Sequence, residues 1–145
     1  MKVLVDTNII IDILERREPF YKHSYRVIQL GLQGKLETIF SAASVTDVYY
    51  VISKSTRDAL KAKEKIIALG SIIGFCDTCA ADINTALSYN MGDLEDAVIA
   101  AAAKREKAEL IITRNEEDFA NSPVPAISPS LFLQQFFDYD EAKIP

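Results

Sequence analysis

Short runs that are apolar without polar alternation, set between segments of helical period, constrain this chain more than any other feature. Lys2-Val3-Leu4-Val5 is the first: apolar after its opening lysine, partly β-branched, and too short for a helix. A strand of that kind offers no polar face to water, so it belongs in a parallel sheet covered on both sides. The run stops at Asp6-Thr7-Asn8, after which Ile9, Ile10, Ile13 and Leu14 recur at helical spacing up to Glu15.

The same alternation continues along the chain. A second helix is predicted from Pro19, suited to a first turn, to Gln33, with Gly34 at its end. Leu36 to Ser41 reads as the second strand. Ser44-Val45-Thr46-Asp47 opens the next helix, with Ser44 as cap and Asp47 three residues on, where it favours the dipole. Ser55 or Thr56 is expected to cap another helix, running to Leu69. A third strand is predicted at Ser71 to Cys76 and a helix at Ala80 to Tyr89, broken by Asn90-Met91-Gly92. Asp93 then caps an alanine-rich helix ending near Lys107. Glu109 to Thr113 forms the fourth strand, Val124 to Ile127 a weak fifth, and Pro129 to Phe137 a last helix.

No repeat, low-complexity tract or linker interrupts this order. It implies one α/β domain over residues 1–145: a parallel sheet of about five strands with helices on both faces. The 145 residues, 49% hydrophobic and 26% charged, have the balance of a globular domain and need no disulfide or zinc staple. No apolar run reaches the roughly 20 residues that span a bilayer, and Asp6 cuts the first one far short of a signal-peptide core. The expected compartment is the cytoplasm, with no membrane partner.

In parallel sheets ligands bind beyond the carboxyl ends of the strands, near the point where strand order reverses. The polar residues at those places are nearly all acidic: Asp6 after the first strand, Asp47 after the second, Asp93 and Asp96 before the fourth, Asn115 and Asp118 after it. Each has a plain structural use as well. Asp93 and Asp96 have the spacing of a reciprocal capping pair, Asp47 suits a helix dipole, and Asp118 suits a solvated turn. Asp6 is harder to explain that way, because an ionised carboxylate at the end of a buried strand is costly unless paired or bound to a cation. If these groups converge, their oxygens suit a hard divalent ion, Mg²⁺ or Mn²⁺. The five aspartates carry five formal negatives, equal to the whole net charge of −5. That balance excludes a protein that grips nucleic acid by bulk positive charge.

Taken in order, Val3-Leu4-Val5-Asp6-Thr7-Asn8, Ser44-Val45-Thr46-Asp47, Asp93-Leu94-Glu95-Asp96 with its alanine-rich continuation, and Ile112-Thr113-Arg114-Asn115-Glu116-Glu117-Asp118-Phe119 closely resemble the PIN-domain ribonucleases. The resemblance is greatest to the small prokaryotic branch that includes VapC-type toxins, and it covers almost the whole chain. It implies that Asp6, Asp47 and Asp96 gather at one end of the sheet and bind metal, with Asp93 beside them. Asp47 stands where the family commonly has glutamate, so its shorter arm implies contact through water. Asn115 stands where many relatives have a fourth aspartate, a role open to Asp118 or to an amide that orients a water. The resemblance further implies an RNA substrate, a homodimer and a small cognate antitoxin.

On this reading a metal-activated water attacks the phosphodiester, and no side-chain nucleophile is needed. Asp6 and Asp96 are expected as direct ligands, with Asp47 completing the site. Thr7, Asn8 and Thr113 are expected mainly to scaffold the turn. Arg16, Arg17, Lys54, Arg57 and Arg114 are candidate flankers of the cleft, although solvation explains most such side chains. Phe20, Tyr21, Tyr49 and Tyr50 are aromatics available for base stacking, for the core or for a dimer interface. His23, the one histidine, falls in a helix away from the strand ends.

Two other readings are distinct in class. One is a non-catalytic PIN-like module that binds RNA or protein, its chemistry disabled at positions 47 and 115. The other is a phosphohydrolase with Asp6 as nucleophile, which would want an aspartate where Asn8 stands. Cys76 and Cys79 have redox or zinc spacing, but a zinc site lacks two further ligands and the pair is expected to be a bystander.

Overall fold

The computed structural model describes residues 1–138, so the end of the predicted 1–145 domain, residues 139–145, lies outside the described residues. Five strands make one parallel sheet: β1 (Lys2–Val5), β2 (Glu37–Ser41), β3 (Gly74–Cys76), β4 (Leu110–Ile112) and β5 (Ala126–Ile127). Their order is β3-β2-β1-β4-β5. The chain builds outward from β1 to β3, then crosses back to lay β4 on the other side of β1. The order reverses between β1 and β4, and their carboxyl ends flank the crevice so formed.

Among the described residues seven α-helices cover the sheet: α1 (Thr7–Leu14), α2 (Tyr21–Leu32), α3 (Ala42–Thr56), α4 (Ala59–Ile72), α5 (Ala80–Ala86), α6 (Leu94–Arg105) and α7 (Pro129–Phe137). Strand alternation sends Val3 and Val5 into one core with Ile9, Ile10, Val27, Ile28, Val48, Ile52, Leu69, Phe132 and Leu133, which is the face of α1 to α4 and α7. Leu4 and Ile111 point the other way, against Ile99, Ala100 and Ala103 of α6. Both cores contain side chains with no exposure, which is why β1 carries no polar alternation. On α6, Ala97 and Ala100 to Ala103 are buried, and such small side chains allow a close seat on the sheet and on α5. Among the described residues no helix is long and apolar enough to cross a membrane.

The element order is as predicted, and several boundaries move. α2 starts at Tyr21, with Pro19 just ahead of it. α3 begins at Ala42, so Ser44 is a buried residue inside the helix and no cap. Ser55 and Thr56 end α3, and the cap of α4 is Asp58, whose carboxylate accepts from Leu60 and Lys61 amides. α4 also extends to Ile72 and shortens β3 to Gly74–Cys76. Apolar residues near a helix end and at a strand start read alike in a one-dimensional pattern.

Candidate active site

At the carboxyl end of β1 the backbone N–H of Asp6 donates to Ile112 O at 2.9 Å, which ties the ends of β1 and β4 together. Asp6 is 6% exposed. Its Oδ1 accepts from the Thr7 amide at 2.8 Å, and its Oδ2 accepts from Thr113 Oγ1, also at 2.8 Å. Thr113 in turn accepts from Asn8 Nδ2 (3.3 Å) and from the Asn115 amide (3.1 Å). Both of its lone pairs and its one proton are thereby used, which fixes the orientation of the Asp6 carboxyl. Thr113 and Asn8 are scaffold, as expected. Thr7 differs: its Oγ1 is buried with no hydrogen-bond partner among the described residues.

The α6 N-terminus faces this point from the other side. Asp93 caps the helix by accepting from the Asp96 amide at 3.0 Å, the structural use foreseen for it. Asp96 has its carboxyl pushed up to about 7, first by burial and then by the nearby charges of Asp6, Asp93, Asp118 and Glu95. Asp6 is also raised, chiefly by burial, against the bonds from Thr113 and Thr7; Asp118 adds to the rise and Arg114 opposes it. Glu95 is raised by burial, by the charge of Asp47 and a hydrogen bond with it, and by Asp93 and Asp6. Carboxyl groups that raise one another in this way lie close enough to repel.

The fold thus gathers Asp6, Asp93, Asp96 and Asp118 at one crevice. Asp47 joins them only through Glu95, a residue that sequence reasoning passed over although it stands between Asp93 and Asp96 on the first turn of α6. Asn115 contributes its backbone amide to Thr113. A cleft of about 280 Å³ beside the carboxylates is lined by Gly92, Asp93, Asp96, Glu117, Asp118 and Asn121, among others. As the side chains stand, no group of three or more His, Cys, Asp and Glu among the described residues could hold a metal ion. The donor set is nevertheless all oxygen, and the buried Thr7 hydroxyl beside Asp6 has no partner of its own. Those are the features a hard cation and its waters would complete.

Arg114 corrects the solvated reading given to most of the basic flankers. Its Nε and Nη2 fork onto the two oxygens of Asp12, Nη2 to Oδ1 at 3.1 Å, and Asp12 is completely buried. The guanidinium lies over the Phe20 ring, 4.0 Å from its centroid. Arg16, Arg17, Lys54 and Arg57 are exposed, as expected of solvated chains. The thiols also behave as bystanders. Cys76 is buried and pushed up to about 11, chiefly by burial, while Cys79 Sγ donates to Asp82 at 3.4 Å.

Comparisons with known proteins identify the family and bear out the fold. The sequence model of a family described as the PIN domain matches residues 2–117. Ribonuclease VapC1 of Aquifex aeolicus (strain VF5) is 30% identical over 141 residues, covering 93% of this chain and 95% of the relative. Among solved structures, VapBC2 from Rickettsia felis bound to a DNA fragment from its promoter is similar with a TM-score of 0.68 at 20% identity, over 88% of this chain and 98% of that one. VapBC-1 from nontypeable Haemophilus influenzae gives 0.67 at 18% identity, over 90% and 99%.

Proposed function

Because this chain belongs to the PIN-domain family, we propose that it is a divalent-metal-dependent ribonuclease and the toxin of a toxin–antitoxin pair. One observation supports the chemistry above all: Asp6 and Asp96, ninety residues apart in sequence, stand close enough for the charge of Asp6 to raise the Asp96 carboxyl. Asp6 and Asp96 would ligate Mg²⁺ or Mn²⁺ directly, with Asp93 and Asp118 close by. Asp47 would act at one remove, through Glu95 or a water. Such an ion, when bound, lowers the pKa of a water and balances the charge that grows on the phosphate.

The chain's own residues set the conditions for that step. Thr113 and the Thr7 amide hold the Asp6 carboxyl in one orientation, so little reorganisation remains on binding. On this reading the attacking oxygen comes from water and not from a side chain. The partners that fit this reading are an RNA substrate, a cognate antitoxin protein and a second copy of the chain, in the cytoplasm.

The test is cleavage of single-stranded RNA with and without Mg²⁺ or Mn²⁺. Cleavage is expected only with metal. Asp6→Asn and Asp96→Asn, checked for folding by circular dichroism, are each expected to lose on the order of a thousandfold in kcat, several kcal/mol of transition-state stabilisation. Cleavage that survives both changes would sink the assignment.

A second reading, a non-catalytic PIN module that binds RNA or protein, is favoured by the spread of the carboxylates, which do not close on one point. Calorimetric titration with Mn²⁺ separates the two. Binding lost on Asp96→Asn supports the enzyme, and no heat at millimolar Mn²⁺ supports the module.

A further inference from the structure

On the far side of β4 lies a second cleft, of about 320 Å³, whose lining includes Phe20, His23, Ser24, Arg114, Ser128 and Ser130 and contains no carboxylate. Its chemistry is the reverse of the acidic crevice. Arg114 supplies a fixed cation. Its bonds to Asp12 use Nε and one Nη2 proton, so three of its five N–H groups remain for a ligand. The N-terminus of α7 opens beside it, with Ser128 capping the Leu131 amide and Ser130 on the first turn. That end carries the positive pole of a nine-residue helix.

Ser24 points independently to a ligand. It lines the cleft, is 0% exposed, and its Oγ has no hydrogen-bond partner among the described residues. A buried hydroxyl left unpaired costs about 1–3 kcal/mol, so a position inside α2 that would accept alanine without loss keeps a donor for which the free protein has no use.

We propose that this cleft is an anion subsite that seats a backbone phosphate of the RNA strand, next to the phosphate being cut, on Arg114, Ser24, Ser130 and the α7 N-terminus. The inference rests on the ribonuclease reading and adds where the strand runs. Register favours a phosphate of the substrate over an unrelated anion. Arg114 directly follows Thr113, which holds Asp6; the Arg114 amide approaches Asn8 Oδ1 at 3.5 Å; and its charge acts on Asp6. One strand crossing the end of β4 passes from the acidic crevice to this cleft. Acidic walls repel phosphates, so a nuclease with net charge −5 needs a local cationic hold of this kind.

The probe is a fluorescein-labelled oligoribonucleotide, together with a set in which one phosphate at a time is a neutral methylphosphonate. Affinity is read by fluorescence anisotropy with Ca²⁺ in place of Mg²⁺ or Mn²⁺, the probe being checked as intact on a denaturing gel after each titration. Ser24→Ala and Ser130→Ala are each expected to weaken binding roughly ten- to a hundredfold, the worth of one hydrogen bond to a charged group. At one position methylphosphonate should cost as much, and adding Ser24→Ala to that oligonucleotide should then cost nothing further, since both remove the same contact. Cleavage of unmodified RNA is measured in parallel. If wild type cleaves but the serine variants bind like wild type at every position, the subsite is wrong and the ribonuclease stands. If the non-additive pair appears without cleavage, the subsite stands and the enzyme reading fails. A cleft that instead takes a peptide carboxylate would leave RNA affinity flat across all variants, which also overturns the proposal.

Discussion

The two clefts that flank the end of β4 share no lining residue and have opposite chemistry, although the chain passes from one to the other between two neighbours, Thr113 and Arg114. Thr113 turns to one side and holds Asp6 among carboxylates. Arg114 turns to the other, where two of its five N–H groups fork onto the fully buried Asp12. The acidic side is left electrostatically incomplete, and the basic side is completed apart from one hydroxyl, Ser24. Unfavourable charge is thus concentrated where an ion is wanted, while the scaffold beside it is satisfied.

The sharpest way to break this contrast is to empty the basic side. Arg114→Ala leaves the Asp12 charge buried and alone, and unfolding in urea should show a loss of about 3–5 kcal/mol. Adding Asp12→Asn should return a large part of that loss, because the uncompensated charge is gone. If the single variant costs less than about 1 kcal/mol, the fork does not hold this region.

Helix α6 carries a paired carboxylate partner at its other end. Burial alone would raise Asp82, but bonds from Arg105 and from the Cys79 amide and thiol outweigh it and hold the carboxyl below its usual range. A carboxyl lowered by folding stabilises the fold above the unfolded value near 3.9 and loses that contribution as pH falls through the folded value. Asp82→Asn should therefore cost about 2 kcal/mol at pH 7 and little below pH 3, as read from thermal unfolding across pH.

Asp96 reverses the sign. In the metal-free protein its folded carboxyl keeps a proton to about pH 7 while the unfolded one ionises near 3.9, so its contribution to stability declines as pH rises from about 4 to 7 and stays lost above. Asp96→Asn is expected to stabilise metal-free protein at pH 8 by roughly 1 kcal/mol, the shift being discounted for solvent screening, and to raise Tm accordingly. A lowered Tm would mean that Asp96 already has a cationic partner.

The smallest expected effect belongs to Ser24→Ala, which removes an unpaired buried hydroxyl and should raise stability by about 0.5–1 kcal/mol. A loss instead would show that the hydroxyl has a partner in the folded chain, and the anion subsite would lose its best support.

Asp6 was legible as a candidate because it stands where an apolar run meets a turn, a place where a carboxylate has little structural use, whereas Asp96, which also suits a capping pair, was singled out by the resemblance to the PIN-domain family. Glu95 was not, since a glutamate on a helix's first turn is ordinary and only its contact with Asp47 distinguishes it. Arg114 stood among the flankers, yet Asp12, the charge that fixes it, sits within the apolar α1 pattern and was not singled out. Ser24 gave no signal, because a serine inside an amphipathic helix is the same letter whether its hydroxyl meets water, a carbonyl or nothing.

Local patterning by itself determined the alternation of strands and helices, the parallel sheet and the acidic character of its carboxyl edge. Each of those follows from periodicity and from the cost of burying polar groups over a few residues. The tertiary structure decided which carboxylates face one another, which one reaches the site only through a neighbour, and that a buried ion pair and an unpaired serine share a wall. Those outcomes depend on contacts across a hundred residues of chain, where a distance of a few ångströms sets the sign of an interaction and sequence separation carries no information about it.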